Sequence, residues 1–434
     1  MIPRFEQTTP AEDPQRLRVF VSAYACEPGA GSEPGLGWNF VRALASRHET
    51  WVLTRENNRA AIEGFLEQTP IPGIHFLYFD LPQWQRWWKR GKRGIRLYYW
   101  LWQRRVPAAA REILASHQFD LAHHVTFAQY WAPSLLRTLE IPFVWGPVGG
   151  GEVFPVELRS GIGWRARSIL TAKTTVRMIS ERAPSVRRTA RRSAVAFAAT
   201  PETAQRLRSL GAPQVQTFSA AALSEMDLAR IEQRPRGTSD CEPRFLSIGR
   251  LNGRKGAALG LRAFASAAIP GSTLEIFGDG PERLALERSA VRLGIVDRVT
   301  FHGTVPRAEI LERLPGATAL LHLSPEESGS FVCLEAMAAR VPPIVLDAGG
   351  PAVLVPADAG IRISVSCQSD VIRNAATAMR SLAADAGLQV RLGDAGSLYV
   401  RDCGTWERKI GQIEREYFRL LSQRWQKPGK DLPL

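Results

Sequence analysis

The residues best suited to chemistry follow the first strand-like run in the second half of the chain. There the sequence reads SIGRLNGRKG at 247–256, which sets Arg250 and Lys255 five positions apart. Two fixed cations at the carboxyl end of a strand suit a diphosphate group, and the glycines allow a close backbone approach. A basic surface loop that merely contains glycines is the open alternative.

A second chemical cluster is the stretch EESGSFVCLE at 326–335, in which Glu327 and Glu335 lie eight positions apart. Gly329 and Ser330 form a turn that exposes backbone N–H groups, and a helix is predicted to open near Phe331. A diphosphate at that helix end would meet the positive end of the dipole and unpaired N–H donors. Glu335 would then accept from ribose hydroxyls. The alternative is that both glutamates are charges on a helix surface.

These residues need a scaffold, and the sequence predicts two α/β units to supply it. Apolar runs at 17–23 and 50–54 flank the glycine-rich CEPGAGSEPGLG and the helical WNFVRALASR, which is a βαβ pattern. Further strand candidates in the first half are HFLYF, DLAHHV, PFVWG and AVAFAAT. The segment 232–243 reads as an interdomain linker. The second half restarts with the strand candidates RFLSIGR, TLEIFG, RVTFHG, ATALLHLS and PPIVLD.

The last predicted element is an amphipathic helix over 406–425. Its apolar residues recur on one side with a period near 3.6 residues: Trp406, Ile410, Ile413, Tyr417, Leu420 and Leu421. Such a helix needs a partner surface to cover its apolar side.

Composition limits the class of protein. The chain has 434 residues, of which 45% are hydrophobic and 23% charged, which excludes wholesale disorder. Five scattered cysteines without a CxxC pair argue against disulfides and zinc, and they favour a reducing compartment. The first twenty residues lack an apolar core, so no signal peptide is expected, and no 18-residue apolar run predicts a membrane span. We expect a soluble, cytoplasmic protein.

Charge is distributed unevenly along the chain. Residues 1–236 hold 32 basic and 20 acidic residues, a net charge of +12, and the remainder is nearly balanced. The segment 83–105 alone has eight basic residues, five Trp and two Tyr without any acid, and 159–192 has ten basic residues against Glu181. This mixture favours an anionic membrane surface. The alternatives are that the tryptophans pack in the core or that the segment binds RNA; no RNA-binding module is recognisable, so nucleic acid is not expected. The residues predicted to face the membrane are Trp84, Trp87, Trp88, Lys89, Arg90, Lys92 and Arg93.

Five motifs of the second half, taken in order, resemble glycosyltransferase family 4: IGRLNGRKG, LEIFGDGPERLAL, VTFHGTVPRAEIL, EESGSFVCLEAMA and IVLDAGGP. The segments YACEPGAGSEPGLGWNF, DLAHHVTF and WGPVGGGE are similar to a branch that serves bacterial surface polysaccharides. The resemblance runs from Val19 to Tyr417. It implies a GT-B fold, in which two Rossmann-like doubly wound domains face a central cleft and the C-terminal helix returns to the first domain. The expected boundaries are 17–231 for the acceptor-side domain, 244–403 for the nucleotide-sugar domain and 404–425 for the helix.

The resemblance also implies a role for each motif residue. Arg250 and Lys255 match the pair that binds the donor diphosphate, Glu335 the ribose carboxylate and Glu327 the carboxylate beside the transferred sugar. By position, His124 matches a histidine near the sugar. Strand alternation points His123 and His124 to opposite sides, so the other one faces the core, and the sequence leaves open which of the two belongs to the site. The remaining donor-binding residues implied are Gly31, Ser328, Gly329, Ser330, Phe331 and Val332. Gly149, Gly150, Gly151 and Glu152 line the acceptor side, or their glycines serve turn geometry alone. Arg340 stands where the family has glycine, which is expected to alter packing at a helix end.

The function implied is retaining transfer of a sugar from a nucleotide diphosphate sugar to a lipid-linked or oligosaccharide acceptor. No metal is expected, because the sequence has no Asp-x-Asp and the cations named above can neutralise the leaving diphosphate. No cofactor is expected either, since the nucleotide-sugar is itself a substrate. The expected place of action is the inner face of the cytoplasmic membrane, where the protein is peripheral. A nucleotide-sugar-modifying enzyme such as an epimerase and a non-catalytic nucleotide-sugar-binding protein are the alternatives. The sequence does not reveal the sugar, the base, the acceptor or the linkage.

Overall fold

The computed structural model describes residues 16–86, 88, 94–161, 164–233 and 242–425. Within these ranges the chain folds into two parallel sheets, each covered by helices on both faces. Strands buried on both faces of a parallel sheet appear as continuous apolar runs, which is why the short runs in this sequence predicted strands.

The first sheet has the strand order β3-β2-β1-β4-β5-β6-β7 among the described residues. Val21 of β1 pairs with Val52 on one side and with His123 on the other, which fixes where the two histidines lie. The strands are β1 Arg18–Ser22, β2 Glu49–Thr54, β3 Ile74–Tyr78, β4 Leu121–His124, β5 Phe143–Val148, β6 Val195–Ala198 and β7 Val215–Thr217. The helices that accompany this sheet are α1 Ser32–Ala45, α2 Arg59–Gln68, α3 Gln83–Arg86, α4 Ile95–Ser116, α5 Trp164–Arg182, α6 Pro184–Arg192 and α7 Pro201–Ser209.

The second sheet has the order β10-β9-β8-β11-β12-β13. Its strands are β8 Arg244–Ile248, β9 Thr273–Phe277, β10 Val299–Gly303, β11 Ala319–His322, β12 Pro343–Leu346 and β13 Ile361–Ile363. The helices of this half are α8 Glu225–Glu232, α9 Ala257–Ala267, α10 Arg283–Arg292, α11 Arg307–Arg313, α12 Phe331–Ala338, α13 Gly349–Leu354, α14 Gln368–Ala384, α15 Ala386–Cys403 and α16 Trp406–Trp425. Short 3₁₀ helices lie at Glu56–Asn58, Leu135–Thr138, Val156–Gly161 and Val296–Arg298.

Helix α16 returns to the first sheet, as predicted. Trp406, Ile410, Ile413 and Tyr417 are fully buried in a cluster with α1, and the rings of Phe40 and Trp406 lie 6.1 Å apart. The amphipathic period therefore has its partner in the first unit.

The chain passes between the two units twice, side by side. The Leu223 N–H donates to the Gly404 carbonyl, and the Trp406 N–H donates to the Leu223 carbonyl, both at 2.9 Å. Helix α8 packs Leu228 and Ile231 into the core of the second unit. These contacts favour a crossing near Leu223, earlier than the linker predicted at 232–243, of which 234–241 lie outside the described residues. The domain boundaries remain predictions.

Candidate functional site

Two loops meet at the point where the order of the second sheet reverses, between β8 and β11. In doubly wound folds a ligand binds in the crevice beyond the carboxyl ends of two such strands. The loop after β8 carries Arg250 and Lys255, and the loop after β11 carries Glu327. Gly256 adopts a φ of 70°, and a Cβ on it would lie 1.8 Å from the Leu323 carbonyl oxygen. Glycine at this position is what lets the loops touch.

Glu327 is the centre of this contact. The Lys255 ammonium donates to Glu327 Oε1 at 2.6 Å, and His322 Nε2 lies 2.7 Å from Oε2. Burial would raise the pKa of Glu327, but the His322 ring and the Lys255 ammonium together lower it to about 2. The carboxylate therefore stays ionised. Sequence analysis missed His322, whose one signal was its place at the end of the strand candidate ATALLHLS.

The first residues of α13 pack against the loop that carries Glu327 and fix its backbone. The Gly350 N–H donates to the Glu327 carbonyl at 2.7 Å, and a Cβ on Gly350 would lie 2.4 Å from the Ser328 backbone. The loop then leads through Gly329 and Ser330 into α12, which begins at Phe331 and continues through Val332. The amino end of α12 thus lies beside Glu327, where its partial positive charge favours an anion.

Arg250 lies on the loop after β8 and Glu335 lies on α12, and neither takes part in the contact between Lys255 and Glu327. The Arg250 side chain is exposed on the β8 loop. Glu335 is buried on α12 and accepts from Arg307 Nε at 2.7 Å, while Arg307 Nη1 donates to Asp227 at 2.9 Å. Burial raises the pKa of Glu335, and Arg307 opposes this shift. Arg307 was visible in the motif VTFHGTVPRAEIL, but nothing in the sequence announced that it would pair with Glu335.

The acceptor-side loop after β5 touches the donor-side loop directly. Ser328 Oγ donates to Glu152 Oε2 at 2.9 Å, and the Gly150 N–H donates to the same oxygen at 3.0 Å. The hydroxyls of Thr200 and Thr203 donate to Oε1. Glu152 is thus a buried carboxylate satisfied by hydrogen bonds, which links the first unit to the second.

The glycines of this loop serve close approach. A Cβ on Gly149 would lie 3.0 Å from Ser328 Oγ, and one on Gly151 would lie 2.5 Å from Thr203 Cα. Gly150 has a φ of 94°, which favours glycine. The structure therefore brings Gly149 and Glu152 to the donor-side loop, and the role of all four residues toward an acceptor remains a prediction.

A second link between the units joins α5 to Glu326. The Lys173 ammonium and the Arg177 guanidinium both pair with Glu326 Oε1. Arg177 Nη1 also donates to the Glu152 carbonyl at 2.7 Å. Since Glu326 precedes Glu327, this contact fixes the donor-side loop from the first unit.

The two histidines of β4 point to opposite sides, as strand alternation predicts. His123 lies between the Tyr417 hydroxyl, 2.5 Å away, and the Gly146 carbonyl oxygen, so it is a core residue with both nitrogens satisfied. His124 Nε2 lies 3.1 Å from the Tyr99 hydroxyl, and burial lowers the pKa of His124 to about 4. The described contacts of His124 lie within the first unit, and its proposed place beside the sugar stays a prediction.

The glycine-rich loop after β1 ends at Gly31, which is exposed and precedes α1. Two residues later, Glu33 Oε1 accepts from the Phe127 N–H at 2.6 Å, and burial raises the pKa of Glu33. This contact ties the loop after β1 to the loop after β4. Sequence analysis passed over Glu33 because its partner lies 94 positions away.

The basic aromatic segment divides between surface and core. Trp84 is 68% exposed, whereas Trp88 is partly buried and Trp102 is fully buried. Trp102 thus follows the core-packing alternative. The predicted membrane residues Trp87, Lys89, Arg90, Lys92 and Arg93 lie outside the described residues. Within the described ranges no helix is long and apolar enough to cross a membrane, and no cluster of His, Cys, Asp and Glu could hold a metal ion.

Comparisons with known proteins agree with this architecture. The family described as glycosyl transferases group 1 matches residues 230–397. The lipopolysaccharide core biosynthesis glycosyltransferase LpsD of Rhizobium meliloti (strain 1021) is 34% identical over 156 residues, which is 36% of this chain and 43% of LpsD. The chain thus spans less than half the length of this relative.

Solved structures extend the likeness to nearly the whole chain. Sucrose-phosphate synthase from Thermosynechococcus elongatus superposes with a TM-score of 0.64 at 18% identity, over 94% of this chain and 100% of that one. Anabaena HepE in complex with UDP and glucose superposes with a TM-score of 0.56 at 16% identity, over 93% and 100%. Two facing doubly wound units with these relatives define a protein of the GT-B fold, and its second half resembles group 1 glycosyl transferases.

Proposed function

We propose that this protein is a retaining glycosyltransferase that moves a sugar from a nucleotide-sugar donor to a saccharide acceptor in bacterial surface polysaccharide synthesis. The observation that carries the proposal is the contact of Lys255 with Glu327 at the switch point of the second sheet, next to Ser328, whose hydroxyl donates to Glu152 of the first unit. The group 1 match over this region and the name of LpsD support the reaction class. HepE was solved with UDP and glucose, which supports a nucleotide donor.

The donor diphosphate would lie between the β8 loop and the amino end of α12. Lys255 now neutralises Glu327, and a diphosphate would compete for the same ammonium. Arg250 is exposed on the same loop and is free to turn toward a second phosphate. Glu335, held by Arg307, would face the ribose hydroxyls. Lys255, Arg250 and the amino end of α12 would supply positive charge where a nucleoside diphosphate leaves.

The chemistry is substitution at the anomeric carbon with retention of configuration. The bond from that carbon to the phosphate oxygen breaks, and the acceptor hydroxyl forms the new bond from the same face. The hydroxyl proton passes to the departing phosphate oxygen. Positive charge from Lys255, Arg250 and the helix end stabilises the leaving group, so the reaction proposed here needs no metal ion. Glu327 holds the sugar, and His124 approaches it from the first unit.

A lipid-linked acceptor would bring the protein to the inner face of the cytoplasmic membrane. The net charge of +12 over residues 1–236 attracts an anionic leaflet. Trp84 is exposed in the segment that combines cations with aromatic residues. We therefore place the acceptor side of the cleft toward the membrane.

Calorimetric titration with UDP and GDP tests the donor site. Lys255→Ala should lower the affinity for the preferred nucleotide about 100-fold, because a charge-assisted contact is lost. Arg254→Ala is the matched control, since Arg254 is the exposed neighbour on the same loop, and it should bind as the wild type does. Equal affinity in all three proteins would refute the assignment of the site. With donor and acceptor present, a transferase releases nucleoside diphosphate. An epimerase instead changes the configuration of the donor sugar and releases no nucleoside diphosphate.

A further inference from the structure

A buried lysine lies where the chain passes from the first unit to the second, in residues 218–223, which we call the crossing segment. Lys409 is on α16 and is 6% exposed. Its side-chain nitrogen donates to the Ser219 carbonyl at 2.7 Å and to the Ala221 carbonyl, and it lies 5.2 Å from the centre of the Phe218 ring. Among the residues that the structure describes, no carboxylate pairs with it. Lys409 is therefore bound to the backbone of the crossing segment and not to an acid.

The two carbonyls depend on this lysine for a donor. Burial without a carboxylate disfavours the charged form, so it lowers the pKa of Lys409 to about 7. The ammonium and the neutral amine both carry N–H groups, so a donor is present on either side of that pH. Ala221 is fully buried, and water cannot easily replace the lysine at its carbonyl. Loss of the lysine would therefore leave a buried acceptor without its partner.

The crossing segment packs between the cores of the two units. Phe218 and Ala222 belong to the core that contains α1 and α16. Ala221 and Leu223 belong to the core that contains α12. The position of this short segment therefore sets how one core lies against the other.

The same segment contacts the donor-side loop that carries Glu327. A Cβ on Gly329 would lie 3.7 Å from the Cβ atoms of Ala220 and Ala221, which is ordinary van der Waals contact. Two residues further on, α12 begins at Phe331, which packs against the cores of both units. The segment that Lys409 holds thus supports the amino end of α12.

We propose that Lys409 is a positioning residue for the candidate donor site: it holds the crossing segment against the donor-side loop and so fixes the amino end of α12. The proposal rests on the proposed function, because that helix end is where the donor diphosphate would bind. Lys409 acts through the crossing segment and not by contact with the donor.

Hydrogen exchange and calorimetric titration with UDP and GDP test this role. Lys409→Met keeps the length of the side chain but removes its donors, so exchange in residues 218–223 and 329–335 should accelerate about 10-fold or more. The affinity for the preferred nucleotide should fall about 10-fold. Exchange in β9, an interior strand of the second sheet, should stay within about 2-fold of the wild type. Arg408→Met is the matched control, since Arg408 is the exposed neighbour on α16, and it should change neither measurement.

Lys409→Arg separates a positioning role from a merely structural one. Arginine restores N–H donors, and its rescue of both exchange and nucleotide affinity supports the proposal. Unchanged exchange at 329–335 in Lys409→Met overturns it. Equal acceleration in β9 also overturns it, because the variant would then loosen the whole second unit. Accelerated exchange with unchanged nucleotide affinity refutes the link to the donor site.

The wild type alone decides the proposed function. If it binds neither UDP nor GDP, the proposed function fails. Exchange that accelerates at 218–223 and 329–335, but not in β9, would in that case still support Lys409 as the residue that positions α12.

Discussion

Glu327 is a buried carboxylate that remains charged because His322 and Lys255 flank it. The folded-state pKa of about 2 lies below the ordinary value of 4.5. The stabilisation from this carboxylate is therefore complete above about pH 4.5 and is lost as the pH falls toward 2. A single site residue, Glu327, therefore makes the folding stability of the protein sensitive to acid.

We expect Glu327→Gln to remove that sensitivity. The wild type should exceed the variant in free energy of unfolding by roughly 3 kcal/mol at most near pH 7, and the difference should shrink steadily between pH 4.5 and 2.5. Urea unfolding at a series of pH values measures it. Glu287→Gln, which removes a partly exposed ion pair with Arg283 on α10, should show a difference below about 0.5 kcal/mol throughout. A Glu327 difference that does not vary with pH would contradict the assigned pKa.

Arg340 follows the end of α12 with a φ of 59°, the left-handed conformation that glycine adopts without strain. Arg340→Gly should therefore stabilise the protein by about 1 kcal/mol, which for a chain of 434 residues raises the melting temperature by roughly 1 °C. The ion pair with Asp394 that is lost is long, at 3.6 Å, and exposed. Differential scanning calorimetry measures the change. Arg391→Gly, in the middle of α15, should have the opposite sign, since glycine weakens a helix interior.

The sequence identified those site residues that follow predicted strands. Lys255, Glu327 and Ser328 come together because the carboxyl ends of parallel strands share one edge of the sheet. Contacts between residues far apart in the sequence, such as Glu335 with the Arg307 side chain or Glu33 with the Phe127 N–H, depend on helix rotation and loop path. No local pattern records either quantity, so these contacts appeared only in the structure.

Among the elements, α5 and the loop at Glu326 form the contact most directly tied to the cleft. Glu326 is 8% exposed and faces two cations from the other unit. Removing a buried partner leaves its counter-charges uncompensated. We therefore infer that this ion-pair cluster, called the latch below, holds α5 of the first unit against the Glu326 loop of the second.

Glu326→Gln should weaken the latch and destabilise the protein by about 3 kcal/mol. Amide hydrogen exchange in α5 should accelerate more than exchange in α2, whose Ile62 packs in the core of the first unit together with α1. Glu63→Gln removes an exposed ion pair with Arg59 and serves as the control, with an expected cost below about 0.5 kcal/mol. Unchanged exchange in α5 would show that the latch does not hold this helix.

Helices and strands were predicted correctly where the apolar pattern extends over many residues, and they were missed where the element is only three residues long. The amphipathic pattern of α16 identified both the helix and its need for a partner. The strands β7 and β13 are three residues each, and a run of that length carries no readable alternation. Both lie at sheet edges, where backbone hydrogen bonds to the neighbouring strand, β6 or β12, form the strand although its own sequence does not predict one.

At the scale of the whole molecule, the positive charge belongs to the half that carries the acceptor-side loop. Replacing Lys89, Arg90, Lys92 and Arg93 with glutamate should release the protein from anionic vesicles, because attraction to a charged surface falls within a Debye length of about 8 Å at physiological salt. The wild type should also dissociate steeply as salt rises. Vesicle flotation across a salt series measures both effects, and nucleotide binding should be preserved.

A charge-matched variant in the second unit provides the comparison. Arg262, Arg288, Arg292 and Arg391 are exposed there, and their replacement by glutamate changes the net charge equally. This variant should keep most of its vesicle affinity if the position of the charge matters. Equal release by both variants would show that net charge alone governs binding.

Helix α16 covers α1, yet the whole second unit separates the two along the chain. A ribosome adding 5–20 residues per second needs roughly 10–40 s to pass from β7 to α16. During that interval the newborn first unit displays Phe40, Val41 and Leu44 without their cover. The half of the protein that is synthesised first is therefore completed last. Until translation ends, the apolar side of α1 that α16 later covers stays exposed, and a chaperone could bind it.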